Sequence, residues 1–166
     1  RFSNKSDKIF IKIAGKIGST NVGFISAADN TGSSLAHLDA AYVNALRLKR
    51  DLSNQNHIGL VYTDRVHNDR SNRVFALDGK FIAKDKYSFR AQGGFSVTND
   101  NLESGVLAPM WNIGANASGR KWSWAFATTG YHGEFNPAVG FVERANYVTV
   151  TAGPTREYID PVRFIT

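Results

Sequence analysis

The stretch Tyr87-Ser-Phe-Arg-Ala-Gln-Gly-Gly-Phe-Ser-Val-Thr98 alternates without a fault. Tyr87, Phe89, Ala91, Gly93, Phe95 and Val97 fall on one side, and Ser88, Arg90, Gln92, Gly94, Ser96 and Thr98 on the other. A two-residue period is that of a β-strand with one apolar and one polar face, because successive Cβ atoms of an extended chain point to opposite sides. The pattern recurs outward from this stretch. Trp122, Trp124 and Phe126 alternate with Ser123, Ala125 and Ala127, and Phe75, Leu77, Gly79 and Phe81 with Ala76, Asp78 and Lys80. Ile11, Ile13 and Ile17 oppose Lys12, Ala14 and Lys16; Tyr42, Leu46 and Leu48 oppose Val43, Ala45, Arg47 and Lys49. No stretch carries a helical stripe. The chain reads as all-β, with strands expected at 9–17, 21–28, 40–50, 57–63, 73–82, 87–98, 110–118, 122–131 and 145–152, and a tenth from Tyr158.

Composition narrows the class. The 166 residues suffice for one domain with a sizeable core, so 1–166 reads as a single unit. Hydrophobic residues at 42% exclude a disordered tail. The absence of cysteine excludes a disulfide scaffold and any thiolate-held metal. The longest runs of apolar residues and glycine, 58–62 and 138–142, fall far short of the ~20 residues of a membrane-spanning helix. The chain opens on Arg1 rather than Met, which reads as a processed form or a piece of something longer.

Connection lengths suggest a topology. Short connections at 18–21, 51–56, 83–86 and 119–121 alternate with long ones at 29–39, 64–72, 99–109 and 132–144. In an up-and-down sheet this puts all short turns at one end, as in outer-membrane barrels. Tyr42, Tyr62, Phe75, Tyr131 and Tyr147 lie near the long-loop ends, and Phe81, Tyr87, Trp122 and Trp124 near the short-turn ends, as two interfacial girdles would. The expectation is therefore an antiparallel up-and-down transmembrane β-barrel, or a segment of a larger one, with about 8–10 strands in this chain. A soluble β-barrel or sandwich that binds a ligand or carbohydrate would show the same alternation.

The segment Gly133-Glu-Phe-Asn-Pro-Ala-Val-Gly-Phe-Val-Glu-Arg144 resembles a signature of a family of uncharacterised bacterial outer-membrane barrels. Members of that family usually carry a family-nine-like carbohydrate-binding sandwich ahead of the barrel. Gly18-Ser-Thr-Asn-Val-Gly-Phe-Ile25, Leu46-Arg-Leu-Lys-Arg-Asp-Leu52 and Asn72-Arg-Val-Phe-Ala-Leu-Asp-Gly79 resemble its first hairpin, third strand and fifth strand. Ala138 departs from the pattern, standing where an acidic residue is expected. The resemblance implies the first part of a larger, porin-like barrel in a Gram-negative outer membrane. Its implied role is a non-enzymatic anchor, pore or transport-related scaffold with a saccharide link. The implied partners are the lipid bilayer or lipopolysaccharide, other chains of an outer-membrane complex, and a saccharide.

The search for chemistry yields no catalytic set, metal site or cofactor motif. His37, His57, His67 and His132 form no ligand spacing, and no Gly-x-Ser-x-Gly setting surrounds any serine. Nucleic-acid binding finds no basic run to support it despite the net charge of +6. Lys12, Lys16, Arg47, Lys49, Lys80 and Arg90 all fall on faces read as polar; turned inward, they would line a lumen with positive charge. Within the 133–144 segment, Phe135, Asn136, Pro137, Gly140 and Phe141 read as anchors of an ordered loop, because its apolar side chains are costly to leave in water.

Overall fold

The computed structural model describes residues 8–30, 40–53, 55–100, 103–140 and 142–157. These form nine strands: β1 (Lys8–Ile17), β2 (Thr20–Asn30), β3 (Ala40–Asp51), β4 (His57–His67), β5 (Arg70–Ala83), β6 (Tyr87–Asp100), β7 (Glu103–Ala117), β8 (Trp122–Tyr131) and β9 (Tyr147–Arg156). They build one sheet in the order β1-β2-β3-β4-β5-β6-β7-β8-β9, every neighbouring pair antiparallel. The fold is all-β and up-and-down, as the alternation predicts. The expected tenth strand from Tyr158 lies outside the described residues.

Of the two forms expected, a closed barrel and a segment of a larger one, the strands do not show the first. Among the described residues β1 pairs only with β2 and β9 only with β8, so the sheet is open. The described strands enclose no lumen. The loops differ too. The connection expected over 64–72 shrinks to the turn at Asn68 and Asp69, with Asn68 in the left-handed region at φ 51°. Strands β5, β6 and β7 run to 14, 14 and 15 residues at the expense of the expected loops. The connection between β8 and β9 remains long, at 132–146.

The register fixes two faces across the whole sheet. One carries Ile13, Phe24, Leu46, Tyr62, Phe75, Phe95, Pro109 and Val148, among others, and is apolar along its middle. The other carries Lys16, Asn21, Lys49, Gly59, Asp78, Gln92, Asn112 and Thr129, which lie in a single cross-strand row. Polar groups at the edge of the apolar face pair sideways: Ser26 Oγ donates to Asn44 Oδ1 at 2.8 Å, and Arg73 Nε to Asp64 Oδ1 at 3.1 Å. The aromatic girdles are only partly realised. Tyr131 and Tyr147 belong to the polar face, where their rings meet at 5.6 Å, because both stand in register with Met110.

Trp111 shows how closely the apolar face is fitted. It stands directly opposite Gly130, and its ring occupies the space that a Cβ at Gly130 would need. Its indole Nε1 donates to Thr128 Oγ1 at 3.4 Å. Gly130→Ala is expected to destabilise the fold by about 1–3 kcal/mol, since the ring must leave its position. A shift in tryptophan emission together with a lower thermal midpoint is the expected result; an unchanged midpoint would show that the ring moves aside freely.

Candidate functional site

The polar face gathers the ionisable groups. Lys12, Lys16, Arg47, Lys49, Lys80 and Arg90 all lie on it, on the floor of an open sheet rather than around a lumen. Arg47 grips Asp78 with both guanidinium nitrogens: Nη1 donates to Oδ1, and Nη2 to Oδ2 at 2.8 Å. The guanidinium passes directly over Gly59, where a Cβ would collide with it. Register explains this crossing, because Gly59 stands between Lys49 and Asp78 in one row and Arg47 reaches across it diagonally. His57 Nε2 lies 3.8 Å from Asp78 Oδ2. Towards β1, Asp51 receives Lys16 Nζ at 3.1 Å and Asn21 Nδ2 at 3.3 Å, with Lys49 Nζ at 3.7 Å.

These contacts set the titration of both carboxyls. The hydrogen bonds from Arg47 hold the Asp78 carboxyl below the usual range; partial burial opposes them, and attraction to Arg47, His57 and Lys49 adds to them. Asp51 is lowered as well, first by the hydrogen bond from Lys16. Arg47 is raised, chiefly by its hydrogen bond to Asp78.

The second feature is the 132–146 connection, which folds back onto the polar face. Phe135 is 7% exposed and packs with Val74, Ala108 and Met110, flanked by Tyr131 and Val142. Its ring sits 5.5 Å from that of Tyr131. The backbone behind it is clamped by two strand residues. Asn72, only 6% exposed, donates from Nδ2 to the Asn136 carbonyl at 2.7 Å and accepts from the Ala138 N–H at 3.0 Å. Ser96 Oγ accepts from the Asn136 N–H at 3.0 Å. Gly140 N–H donates to the Pro137 carbonyl at 2.9 Å, which closes a turn. Phe141 lies outside the described residues. Beside the clamp, Arg65, His67, Arg70, Ser71, Thr98 and Asp100 line a recess of about 360 Å³.

A sequence model of one family, described as the DNA/pantothenate metabolism flavoprotein C-terminal domain, matches residues 144–166. It spans well under half of the chain and so does not assign membership. Comparisons with curated proteins and with solved structures return no match. The matched family differs from the outer-membrane barrels that the Gly133–Arg144 segment resembles, and that resemblance is corrected accordingly. With it go the readings of an outer-membrane anchor, pore or transport-related scaffold, the saccharide link, and the lipid bilayer, lipopolysaccharide and outer-membrane complex as partners. The alternative of a soluble barrel or sandwich gains nothing, because the strands form one open layer. Among the described residues no three of His, Cys, Asp and Glu are grouped as a metal site.

Asp78 pairs with a basic group of the polar face as its position suggests, whereas the sequence reading missed Asn72, Ser96 and His57 as partners. Asn72 and Ser96 are ordinary polar-face residues by period; only the loop descending on them buries them. Replacing Phe135 with Ala is expected to cost about 3–5 kcal/mol and to expose the 132–146 connection to protease. Asn72→Ala, which orphans the loop's backbone groups, should cost about 1–3 kcal/mol. Proteolysis unchanged in both variants would show that the loop holds without these contacts.

The Asp78 pair carries a pH signature. A carboxyl with a depressed folded-state pKa stabilises the fold above its unfolded value, about 3.9, and loses that contribution as pH falls through the folded value. Arg47→Met should cost about 1–2 kcal/mol at neutral pH, the exposed guanidinium limiting the effect. Asp78→Asn should make stability fall less steeply on acidification below about pH 4. Parallel acid-unfolding curves for Asp78→Asn and the parent would refute the assignment.

Proposed function

We propose that the chain is a non-enzymatic structural element whose apolar face is an assembly surface for a second copy of itself. The observation that carries this reading is the segregation of charge and greasy surface. Ile9, Ile11, Ile13, Ile17, Leu77, Phe89 and Trp124 are all exposed on one face, Ile17 at 76% and Leu77 at 53%. Exposed apolar area on this scale marks an interaction surface. The six basic residues Lys12, Lys16, Arg47, Lys49, Lys80 and Arg90 are all on the opposite face, so two copies can approach apolar face to apolar face without bringing those charges together. The polar groups on the apolar face lie at its margin: Ser26 pairs with Asn44 and Arg73 with Asp64 within each sheet, Arg156 stacks over Trp122, and Arg50 stands at the short-turn end. Sheets stacked in this way sit about 10 Å apart with interdigitating side chains.

Light scattering on the purified chain tests the proposal. A dimer that Leu77→Glu or Phe89→Glu converts to monomer is the expected result, because either change buries an unpaired carboxylate. A monomeric parent chain, a dimer indifferent to both changes, or a chain kept in solution only by detergent would each overturn it. The match over residues 144–166 favours a second reading, a flavin-linked role at the β9 edge. Titration with flavin mononucleotide separates the two: quenched flavin fluorescence would support the second, and unaltered fluorescence would leave the first.

A further inference from the structure

We infer that Lys80 and Arg90 form a binding site for a phosphate-class anion on the polar face. The register sets Lys80 directly opposite Arg90 on β5 and β6, and His57 directly opposite Lys80 on β4. Cβ atoms of directly opposed residues lie about 5 Å apart, and like charges so placed destabilise a sheet. Elsewhere on this face several basic groups are compensated. Lys16 and Lys49 share Asp51, and Arg47 has Asp78. Lys80 and Arg90 have no ion-pair partner among the described residues. Lys12 and Arg65 lack one too, but neither stands opposite another cation: Lys12 faces Ile25, and Arg65 faces Val43 and Asn72.

The surroundings leave both cations available. Asp78, two positions before Lys80 on the same face, is the nearest carboxylate along the strand and is engaged at both oxygens by Arg47. Asp51, next to His57 in the same row, is held by Lys16 and Lys49. On the other side of Arg90 the row continues to Gly114, where a Cβ would lie 3.9 Å from the guanidinium Nη2. The floor there is bare backbone, and an ion can sit beside the guanidinium without displacing a side chain. A guanidinium offers two parallel N–H groups to two oxygens of an oxyanion, and an ammonium adds a point charge for a third. A tetrahedral oxyanion of charge near −2 fits this pair better than a monocarboxylate, which has two oxygens and half the charge. The bound ion also removes the repulsion that the empty site carries.

The site is independent of what covers the apolar face, and its test does not depend on the dimer. Inorganic phosphate is titrated into the full chain by calorimetry at low ionic strength, and thermal midpoints are measured with and without it. Phosphate is expected to bind and to raise the parent midpoint, less so as salt screens the pair. Lys80→Gln and Arg90→Gln should each weaken binding ~tenfold or more, whereas Lys12→Gln leaves it unchanged. Without phosphate, both site variants should be at least as stable as the parent, because the opposed charges are gone. Three results would overturn the inference. They are no heat or midpoint shift with phosphate, an equal loss in Lys12→Gln, or lower stability of the phosphate-free site variants, which would make the pair structural.

Discussion

Everything in this molecule depends on an unbroken antiparallel register. Each strand pairs with the next in sequence, so the face assigned to one residue is inherited by its partner and passed across all nine strands. A slip of one residue at any ladder would turn every later strand over and place its lysines and arginines among the isoleucines and phenylalanines. The register is therefore held by the cost of that inversion more than by any single hydrogen bond. Turn chemistry helps at the margins, as at Gly18, whose φ of 59° lets β1 return tightly into β2.

Given that register, the polar face acquires two distinct uses of the same residue types. Near the β3–β5 short-turn end, charges meet charges, and Arg47 and Asp78 lock side by side across a glycine. Near the opposite end, Asn72 and Ser96 give neutral donors and acceptors to a descending backbone, and an aromatic ring fills the space above Val74, Ala108 and Met110. This second arrangement is the nearest thing to a buried core. It lies on the face that the alternation marks as polar, because a long connection supplies the apolar cover that no second sheet provides.

The strands were legible because the period is two almost everywhere and the apolar positions are large. The loops were less so. Residues 64–72 and 99–109 read as connections because Asp, Asn, Arg and Gly are poor strand formers. The strands persist through them because cross-strand partners satisfy those groups: Arg73 with Asp64, and Arg70 with Asp100 at 3.1 Å. Sequence spacing cannot display such pairs until the register is known. Asn72 was hidden for the same reason, falling at the edge of a supposed loop. Closure is not legible in the sequence at all. Alternation specifies two unlike faces but says nothing about whether the last strand meets the first, and the tyrosines at 131 and 147 resembled an interfacial band until their partners placed them on the polar face.

The first strand has a consequence for growth of the sheet. Its lysines at 12 and 16 stand four residues apart on one face, while the last strand offers Thr149, Thr151, Gly153 and Thr155 there. Two copies of β1 aligned antiparallel about Ala14 would set Lys12 against Lys16 on both sides of the centre. The leading edge thus repels its own kind, whereas the trailing edge carries no such guard. The two outer strands of the described sheet are therefore unlike: on the polar face β1 sets ammonium groups where β9 sets hydroxyls.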